Sequence, residues 1–496
     1  MSPTTTTSIY TLSAFTTTKP STTTTPTSSI ASLPVSPVTT TTSLPSPLVY
    51  PTLQIKLHPD NPGPTIPSDF LGFSFEDPVL AGDYFDVNNN VYFNLLRNLG
   101  DGVLRFGGNS VEFTYWSRIT GTTFPSSRAV LVPSDLDRLF AFTAKTNWHV
   151  IFGLNLGANN PGMAADEAAY AWQVGQNSII GFEVGNEPDL YSRNGLRPTT
   201  YVYSDFRQEF TKYLQSIRGK VPNAPIAGPV TAYNYDWFSN FMKDEKTNLV
   251  LGTQHLYPLS ASSTLKPTDA SYATIDKLLS ASITLHTINS IQQFESIAKA
   301  NNIPLRYAET NSASSGGKDG VSNAFASALW GTDYLFNLAE NGVVGANFHG
   351  GFSTHGYTPI GLDKNNQYVA MPLYYGMLLF HDVAQGRTVP VELNTTINVT
   401  AHAVLGNDGA LRLVIINKDA NQTVNADINP GKSYSGASAS RLTAPSLDAT
   451  TGITFGGNSV RADGTWTADE EEMVTQNGPG YHIVVPSASA VVITFR

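Results

Sequence analysis

Ser178-Ile-Ile-Gly-Phe-Glu-Val-Gly-Asn-Glu-Pro-Asp-Leu190 is an apolar run that ends abruptly in polar residues. The run predicts a buried strand, which must stop at Pro188 because proline has no N–H to donate to a sheet. Glu187 therefore lies at the carboxyl end of this strand, where α/β barrels keep their catalytic groups. One glutamate at such a place can equally be a surface turn residue. The rest of the chain decides whether it has a partner.

Short apolar strands followed by helical segments recur between residues 67 and 384, a pattern that favours an α/β fold. Eight strands are predicted, at 71–76, 103–107, 149–156, 179–187, 225–230, 249–257, 305–309 and 343–349. Helices are predicted at 92–99, 133–146, 200–217, 275–300 and 321–341, with Ser322 as the cap of the last. Eight strand–helix units in succession predict a (β/α)8 TIM barrel. An open doubly wound sheet is the alternative, but Gly107-Gly108 lacks the third glycine of a nucleotide-binding turn.

The rest of the chain predicts three further segments. Alternating or apolar runs separated by Gly, Asn and Pro predict a C-terminal β-sandwich over residues 385–496. The lone strand at 53–57, within residues 51–66, is predicted to join that sandwich. Residues 1–50 are mostly Thr, Ser and Pro, a composition that predicts a disordered stalk.

Composition excludes several classes of function. The net charge is −10 and no basic run occurs, which argues against a nucleic-acid partner. No apolar stretch reaches 18 residues, so no membrane-spanning helix is predicted. The chain has no cysteine and therefore no disulfide, thiolate metal site or cysteine nucleophile. The stalk and three sequons, at Asn394, Asn398 and Asn421, predict a secreted protein, although no basic start and apolar core of a signal peptide is visible.

Three of the predicted strands end in glutamate: the first at Glu76, the fourth at Glu187 and the seventh at Glu309. The fourth and the seventh are the candidate pair. In a ring of eight strands these positions lie on roughly opposite sides, so the two carboxyl groups can face each other across a sugar. A separation of about 5–5.5 Å would give hydrolysis with retention, and about 6.5–9.5 Å would give inversion. Tyr257 and Arg105 are candidates to keep Glu309 ionised. His255 and His349 have no metal-ligand spacing and are interpreted as structural hydrogen-bond partners.

Four segments carry a family likeness: Leu104-Arg-Phe-Gly-Gly-Asn109, Phe182-Glu-Val-Gly-Asn-Glu-Pro188, Gln254-His-Leu-Tyr257 and Ala308-Glu-Thr-Asn-Ser312. In this order they resemble glycoside hydrolase family 79, a clan A family of retaining enzymes that holds β-glucuronidases and heparanase. The resemblance covers about residues 53–496. It implies that Glu187 is the acid/base, that Glu309 is the nucleophile and that no cofactor is needed.

The resemblance also implies which residues contact the sugar. Asn186 would hold its 2-hydroxyl, Tyr257 would orient Glu309, and Glu76 and Asn109 would line the sugar site. Gly316 and Tyr374 would grip the carboxylate of a uronic acid. Ser314 stands where many members carry a tyrosine, and its hydroxyl has a shorter reach. From the residues alone, Tyr233 is a candidate to stack on a sugar face.

We therefore expect a retaining exo-β-glycosidase that removes terminal β-linked glucuronic acid or its 4-O-methyl form from glycans or glycosides. The low Lys and Arg content argues against an endo enzyme that grips a heparan-like chain. One alternative is the same machinery acting on a neutral sugar, as a β-glucosidase, β-xylosidase or β-galactosidase. Another is a glycan-binding protein without activity.

Overall fold

The computed structural model describes residues 50–469 and 471–496, so all but Tyr50 of the predicted disordered segment 1–50 lies outside the described residues. Eight parallel strands close into a barrel in which each strand pairs with the next along the chain. After the N-terminal strand β1 (Thr52–Leu57), they are β2 (Leu71–Glu76), β3 (Val103–Gly107), β4 (His149–Leu154), β5 (Ile179–Val184), β6 (Ile226–Thr231), β7 (Leu249–Leu256), β8 (Leu305–Thr310) and β9 (Gly345–His349). The predicted (β/α)8 barrel is confirmed.

The fourth barrel strand is shorter than predicted, because β5 ends at Val184 and not at Glu187. Gly185 has a φ of 79° and Glu187 a φ of 51°, both in the left-handed region that L side chains rarely adopt. The chain therefore leaves the sheet before Glu187 and enters a 3₁₀ turn over Pro188–Leu190. The glutamate is carried by a turn above the barrel.

The helices are α1 (Asn90–Arg97), α2 (Pro133–Thr146), α3 (Pro161–Gly175), α4 (Tyr191–Asn194), α5 (Tyr203–Lys220), α6 (Tyr235–Glu245), α7 (Ile275–Leu278), α8 (Ala281–Ala300), α9 (Phe325–Glu340) and α10 (Pro372–Val383). Of these, α3, α4, α6 and α10 were not among the predicted helices. Within the described part of the chain, no helix is long and apolar enough to span a membrane.

The predicted cap of α9 is wrong, because the helix begins at Phe325 after Ala324 and not at Ser322. The Ser322 hydroxyl instead bonds to Ser312. The first N–H groups of α9 are satisfied from the C-terminal module, since Phe325 and Ala326 donate to main-chain carbonyls of residues 449 and 447. A helix start that depends on carbonyls more than 100 residues away leaves no local capping signal.

Two β-sheets form the C-terminal sandwich, built from β10 (Gly386–Val389), β11 (Val391–Leu393), β12 (Val399–Gly406), β13 (Leu411–Asn417), β14 (Val424–Asn429), β15 (Ala437–Thr443), β16 (Gly480–Val485) and β17 (Ser489–Phe495). One sheet has the order β11-β1-β14-β16 and the other the order β10-β12-β13-β17-β15, with short strands at their edges. As predicted, the N-terminal strand returns to this sandwich: β1 is parallel to β14 and antiparallel to β11.

The sheet that contains β13 is buried on both faces. Leu411, Leu413 and Ile415 point into the core between the two sheets. Val414 and Ile416 point the other way and join the core of the barrel. This alternation follows from the two-residue period of a strand, whose successive side chains lie on opposite faces. The sandwich is therefore packed against the barrel through continuous apolar contact.

A buried group of charges lies at this interface. Asp333 of α9 accepts hydrogen bonds from His402 at 2.9 Å and from Lys418 at 2.7 Å, both on sandwich residues. The other ring nitrogen of His402 contacts Glu340 at 2.8 Å. Burial alone would lower the pKa of His402, but Glu340 and Asp333 raise it to about 9. The imidazole is therefore a cation held between two carboxylates.

The His402 cation should make the stability of the protein depend on pH. The pKa of His402 in the folded protein lies above the unfolded value of about 6.5. The protonated imidazole therefore contributes fully to the free energy of unfolding below pH 6.5, and this contribution is lost as pH rises through 9. The contribution amounts to about 3 kcal/mol. We expect His402→Gln to destabilise the protein at pH 6.5 more than at pH 9.5, measured by chemical unfolding. His482→Gln, which removes an outer-surface imidazole bonded to Asp427, is the matched control and should show no such difference.

Candidate active site

A cavity of about 550 Å³ opens at the carboxyl ends of the barrel strands. This volume is within the range of small-molecule sites. The cavity brings together Glu187, Glu309 and six of the predicted contact residues, namely Glu76, Asn109, Tyr233, Tyr257, Ser314 and Gly316. One wall is formed by His286, Thr287, Ser290, Gln293 and Phe294 of α8, none of which the sequence analysis identified.

Glu187 and Glu309 face each other in this cavity. One oxygen of each carboxylate and one ring nitrogen of His255 all lie within 4.8 Å of one another. The His255 Nδ1 is 3.0 Å from Glu187 and 3.9 Å from Glu309. An oxygen–oxygen distance of 4.8 Å or less favours the shorter separation of a retaining pair over the 6.5–9.5 Å of an inverting pair.

Arg105 is fully buried beneath the cavity and connects three groups. Its guanidinium donates to Glu309 Oε2, to Glu183 Oε2 and to Asn186 Oδ1, each at 2.8 Å. Burial alone would lower its pKa, but the charges of Glu183 and Glu309 hold it above its usual value. A planar guanidinium with several fixed donors suits this role, because each bond constrains the orientation of the next.

The surroundings of Glu309 favour its anionic form. The Tyr257 hydroxyl donates to Oε1 at 2.8 Å, the hydrogen bond that the family resemblance implied. Burial alone would raise the pKa of Glu309, but the charges of His349, His255 and Arg105 and the bond from Tyr257 hold it well below its usual value. An ionised carboxylate held by donors on both oxygens is suited to act as a nucleophile.

The turn that carries Glu187 is held by backbone hydrogen bonds. The Glu187 N–H donates to the Val230 carbonyl at 2.9 Å, and Val230 itself has a φ of 60°. A β-branched residue in the left-handed region is strained, and such strain clusters at functional sites. Two residues after Glu187, the Asp189 carboxylate accepts hydrogen bonds from the Ala232 N–H at 3.0 Å and the Asn234 N–H at 3.3 Å. These contacts fasten the Glu187 turn to the loop after β6.

The buried carboxylate of Glu112 also supports the turn that carries Glu187. Glu112 accepts from the Asn186 N–H at 2.7 Å and also from the Tyr191 hydroxyl and the Gly157 N–H. Burial raises the pKa of Glu112 to about 7, although these three donors act in the opposite direction. The sequence analysis missed Glu112, because it lies in a short 3₁₀ turn after β3 and not at a strand end.

Glu76 and His349 form the opposite side of the cavity. Glu76 accepts from the Ser110 N–H at 2.8 Å, and His349 Nε2 lies 3.7 Å from its carboxylate. His349 Nδ1 bonds to Ser74 at 2.9 Å and lies 3.8 Å from Glu309. Burial alone would lower the pKa of His349, but Glu309 and Glu76 raise it. The imidazole thus lies close to both carboxylates, and its role as a structural hydrogen-bond partner stays a prediction.

Tyr374 is not in the cavity, and the prediction that it grips a carboxylate is wrong. Its ring is fully buried between α10 and α1, where its hydroxyl donates to the Leu95 carbonyl at 2.6 Å and accepts from Asn98 at 3.1 Å. Asn186 is 2% exposed and does not form part of the cavity wall; its amide lies between Arg105 and Asn109.

A tyrosine that the sequence analysis missed lies where Tyr374 was expected. Tyr357 lines the cavity beside Ser314 and Gly316 and stacks on Tyr257 with ring centroids 6.2 Å apart. Burial and the charge of Glu309 raise the pKa of its phenol, and the proximity of Tyr257 and of the Gly316 N–H acts in the opposite direction. Its position eight residues beyond His349, in the loop after the last barrel strand, is the signal that could have identified it.

Removing the buried arginine should leave Glu183 without its cation and Glu309 without the guanidinium that donates to its Oε2. We expect Arg105→Met to lower the free energy of unfolding by about 3–5 kcal/mol at pH 8. Without Arg105 the folded-state pKa of Glu309 should rise, so the folded protein takes up a proton and the loss becomes smaller at pH 5. Chemical unfolding at the two pH values measures the difference.

Arg306 provides the matched control for this experiment. It is equally buried, but it donates to Asn347 and to main-chain carbonyls and forms no carboxylate ion pair. Arg306→Met should therefore destabilise the protein by a similar amount at pH 5 and pH 8. An Arg105→Met penalty that does not change with pH would contradict the charge-balancing role of Arg105.

Comparison with known proteins identifies the family. The model of the glycosyl hydrolase family 79 N-terminal domain matches residues 95–336, and that of the family 79 C-terminal beta domain matches residues 401–492. A baicalin-β-D-glucuronidase of Scutellaria baicalensis is 24% identical over 395 residues, covering 70% of this chain and 71% of the relative. A β-glucuronidase of Aspergillus niger is 25% identical over 409 residues, covering 72% and 73%.

Solved structures share the fold. A 4-O-α-L-rhamnosyl-β-D-glucuronidase from Fusarium oxysporum has a TM-score of 0.75 at 20% identity, covering 89% of this chain and 100% of the other. A family 51 arabinofuranosidase from Xanthomonas axonopodis pv. citri has a TM-score of 0.68 at 17% identity, covering 90% and 100%. The two family models match the barrel and the sandwich in the same order as the structure has them, and the chain belongs to glycoside hydrolase family 79.

Proposed function

We propose that the protein is a retaining exo-β-glycosidase that releases terminal β-linked glucuronic acid. The observation that carries this proposal is the pair of facing carboxylates, with oxygens within 4.8 Å, one of them held anionic. The glucuronidase names of relatives that are 24% and 25% identical support the choice of sugar. A glycan-binding protein without activity would not need this pair.

The two carboxylates divide the reaction into two displacements. Glu309 attacks the anomeric carbon while Glu187 donates a proton to the glycosidic oxygen, which leaves with its aglycone. Glu187 then takes a proton from a water that attacks the same carbon, and the bond to Glu309 breaks. Two inversions at one carbon give overall retention. Asn186, fixed by Arg105 and Asn109, would contact the 2-hydroxyl if its amide reaches the sugar face.

Selectivity for a uronic acid would come from neutral donors at one end of the cavity. Ser314, Ser315, Gly316 and Tyr357 line the cavity, and their hydroxyl and N–H groups are the candidate donors. Hydrogen bonds to an ionised group are stronger than those to a neutral one, so these donors favour a carboxylate over a hydroxymethyl group. Tyr357 would supply the phenol that many family members carry at the position of Ser314.

The cavity wall also favours action at a chain end. None of the described residues that line the cavity is a lysine or an arginine. A groove that tracks a sulfated or polyuronic chain would need such cations along its length. This supports exo hydrolysis over endo cleavage of a heparan-like polymer.

We also propose that the protein is secreted and acts outside the cell. Asn394 and Asn421 are exposed on loops of the sandwich and could carry the N-linked glycans of a secreted protein. The side chain of Asn398, in the third sequon, is partly buried and donates to the Leu279 carbonyl at 2.9 Å, which makes it a poorer glycan acceptor. Glycans on the first two sites of the natural protein would support secretion, and their absence would oppose it.

Hydrolysis of aryl glycosides tests the proposed function directly. We expect the wild type to prefer the β-glucuronide over the β-glucoside, β-xyloside and β-galactoside. Glu309→Gln should lower kcat by about a thousandfold or more, because no carboxylate remains to attack. Glu187→Gln should cost about 10²–10⁴-fold with a poor leaving group and much less with an activated one.

Glu392→Gln, on the exposed edge of the sandwich, is the matched control and should keep full activity. NMR of the first product formed should show the β-anomer. Preference for a neutral glycoside would contradict the choice of sugar, and unchanged hydrolysis by Glu309→Gln would contradict the mechanism.

Tyr357→Phe tests the proposed carboxylate contact. We expect kcat/KM for the aryl glucuronide to fall about tenfold, the value of one hydrogen bond to a charged group, while residual activity on the aryl glucoside changes less than about twofold. Tyr235→Phe removes a phenol from another wall of the same cavity and should affect neither substrate. Equal losses on both sugars would show that Tyr357 acts through Tyr257 and not on the carboxylate.

A further inference from the structure

Two loops supply the candidate donors for the sugar carboxylate. The loop after β8, residues 311–324, carries Ser314 and Gly316 in the cavity wall, and the loop after β9, residues 350–359, carries Tyr357. Among the described residues, no strand pairing and no main-chain hydrogen bond joins one loop to the other. The relative position of the donors on the two loops therefore depends on side-chain contacts between the loops.

The main chains of the two loops pass each other in direct contact. A Cβ atom on Gly317 would lie 2.7 Å from the Tyr357 nitrogen, and one on Gly356 would overlap the Gly316 carbonyl oxygen. Both glycines also have a positive φ, of 77° and 71°. Only glycine allows two main chains to approach so closely in this conformation. Since no side chain separates the loops here, a movement of either one changes the distance between Gly316 and Tyr357.

Asn311 fastens the two loops from the inside. Its side chain is fully buried, two residues after Glu309, and its amide nitrogen donates to the carbonyls of His349 at 2.8 Å and Tyr357 at 3.0 Å. Its amide oxygen accepts from the Ser312 N–H at 2.8 Å. The amide thus holds the loop after β9 both at its start and at Tyr357. These hydrogen bonds form the inner contact.

Asp319 fastens the same loops from the outside. One carboxylate oxygen accepts from the Gly356 N–H at 2.8 Å, and the other lies 2.9 Å from His355 Nδ1. The Gly356 N–H and the His355 imidazole hold the pKa of Asp319 below its usual value, so the carboxylate is ionised at neutral pH. Its side chain is 57% exposed, so its replacement leaves no cavity in the core. These hydrogen bonds form the outer contact.

A carboxylate is more sensitive to the spacing of its donors than a hydroxymethyl group is. Its two oxygens are fixed in one plane, so donors from two loops reach both oxygens only when the loops keep one separation. A hydroxymethyl group has a single oxygen, which can rotate toward whichever donor is nearest. Hydrogen bonds to an ionised group are also stronger than those to a neutral one. A change in the spacing of the loops therefore costs more binding energy with a uronic acid than with a neutral sugar.

We propose that Asn311 and Asp319 are positioning residues that set the selectivity for a uronic acid, because they hold the two loops at the separation that a carboxylate needs. Neither side chain lines the cavity, so both act through other residues. The inference rests on the proposed function, since it takes the carboxylate of the sugar as the ligand of these loops. It adds two residues outside the cavity wall that control the choice of sugar.

Substitution of Asp319 tests the outer contact. We expect Asp319→Ala to lower kcat/KM for an aryl β-glucuronide about tenfold, mainly by raising KM, and to change kcat/KM for the aryl β-glucoside less than about twofold. Asp319→Asn keeps an acceptor for the Gly356 N–H and should recover most of the loss. Asp363→Ala is the matched control and should affect neither substrate, because this exposed carboxylate accepts only from Asn365 and Gln367 in a turn outside the cavity.

Asn311→Ala tests the inner contact and is judged by a ratio, because a buried substitution also lowers stability. We expect the glucuronide-to-glucoside ratio of kcat/KM to fall about tenfold, since the ratio cancels any loss that is common to both substrates. The inhibition constant of free glucuronic acid should rise by a similar factor in Asn311→Ala and Asp319→Ala. This constant measures carboxylate binding without turnover.

The outcomes separate positioning from a purely structural role and from the proposed function. Equal losses on both sugars would show that the two residues only support the fold, and would overturn the proposal. An unchanged preference for the glucuronide in both variants would overturn it as well. A wild type that prefers the neutral glycoside would overturn the proposed function itself, whereas a failure of the positioning role leaves the preference of the wild type intact.

Discussion

The buried guanidinium of Arg105 is the contact on which the site depends. It is the cation that hydrogen-bonds both Glu183 and Glu309 in the barrel interior, and it also fixes the amide of Asn186. Two carboxylates in such surroundings would take up protons without a cation. Arg105 thus keeps the nucleophile ionised and connects β3, β5 and β8 below the cavity. A lysine would offer one point charge where this geometry uses three separate donors.

The two glutamates that we propose as the catalytic pair are held in different ways. Glu309 sits at the end of a strand and is oriented by side-chain donors, from Arg105 on one oxygen and Tyr257 on the other. Glu187 sits in a left-handed turn that is oriented by main-chain bonds to Val230 and by the support of Glu112 beneath Asn186. This division suits their roles, since the nucleophile must stay charged and the acid/base must change its protonation during each turnover.

The sequence predicted the features that have a local cause. The strands at 71–76 and 103–107 and the helix at 133–146 have the predicted bounds. In these three segments the apolar periodicity and the flanking residues indicate the same ends. The sequence could not predict that the Tyr374 side chain lies on the face of α10 that contacts α1. Nor could it predict that the first N–H groups of α9 bond to carbonyls more than 100 residues away. Tyr357 and Glu112 were missed because their roles arise only when loops from separate units meet.

The position of β1 has a consequence for how the chain is made. Gln54 and its hydrogen-bond partner Asp427 are 373 residues apart. At a synthesis rate of about 5–20 residues per second, the first strand waits roughly 20–75 seconds for its neighbour to leave the ribosome. During that time its apolar side chains and both of its edges are exposed. The sheet that covers the barrel likewise needs β17 (Ser489–Phe495), so the barrel face that it covers stays open to solvent until that strand has been made.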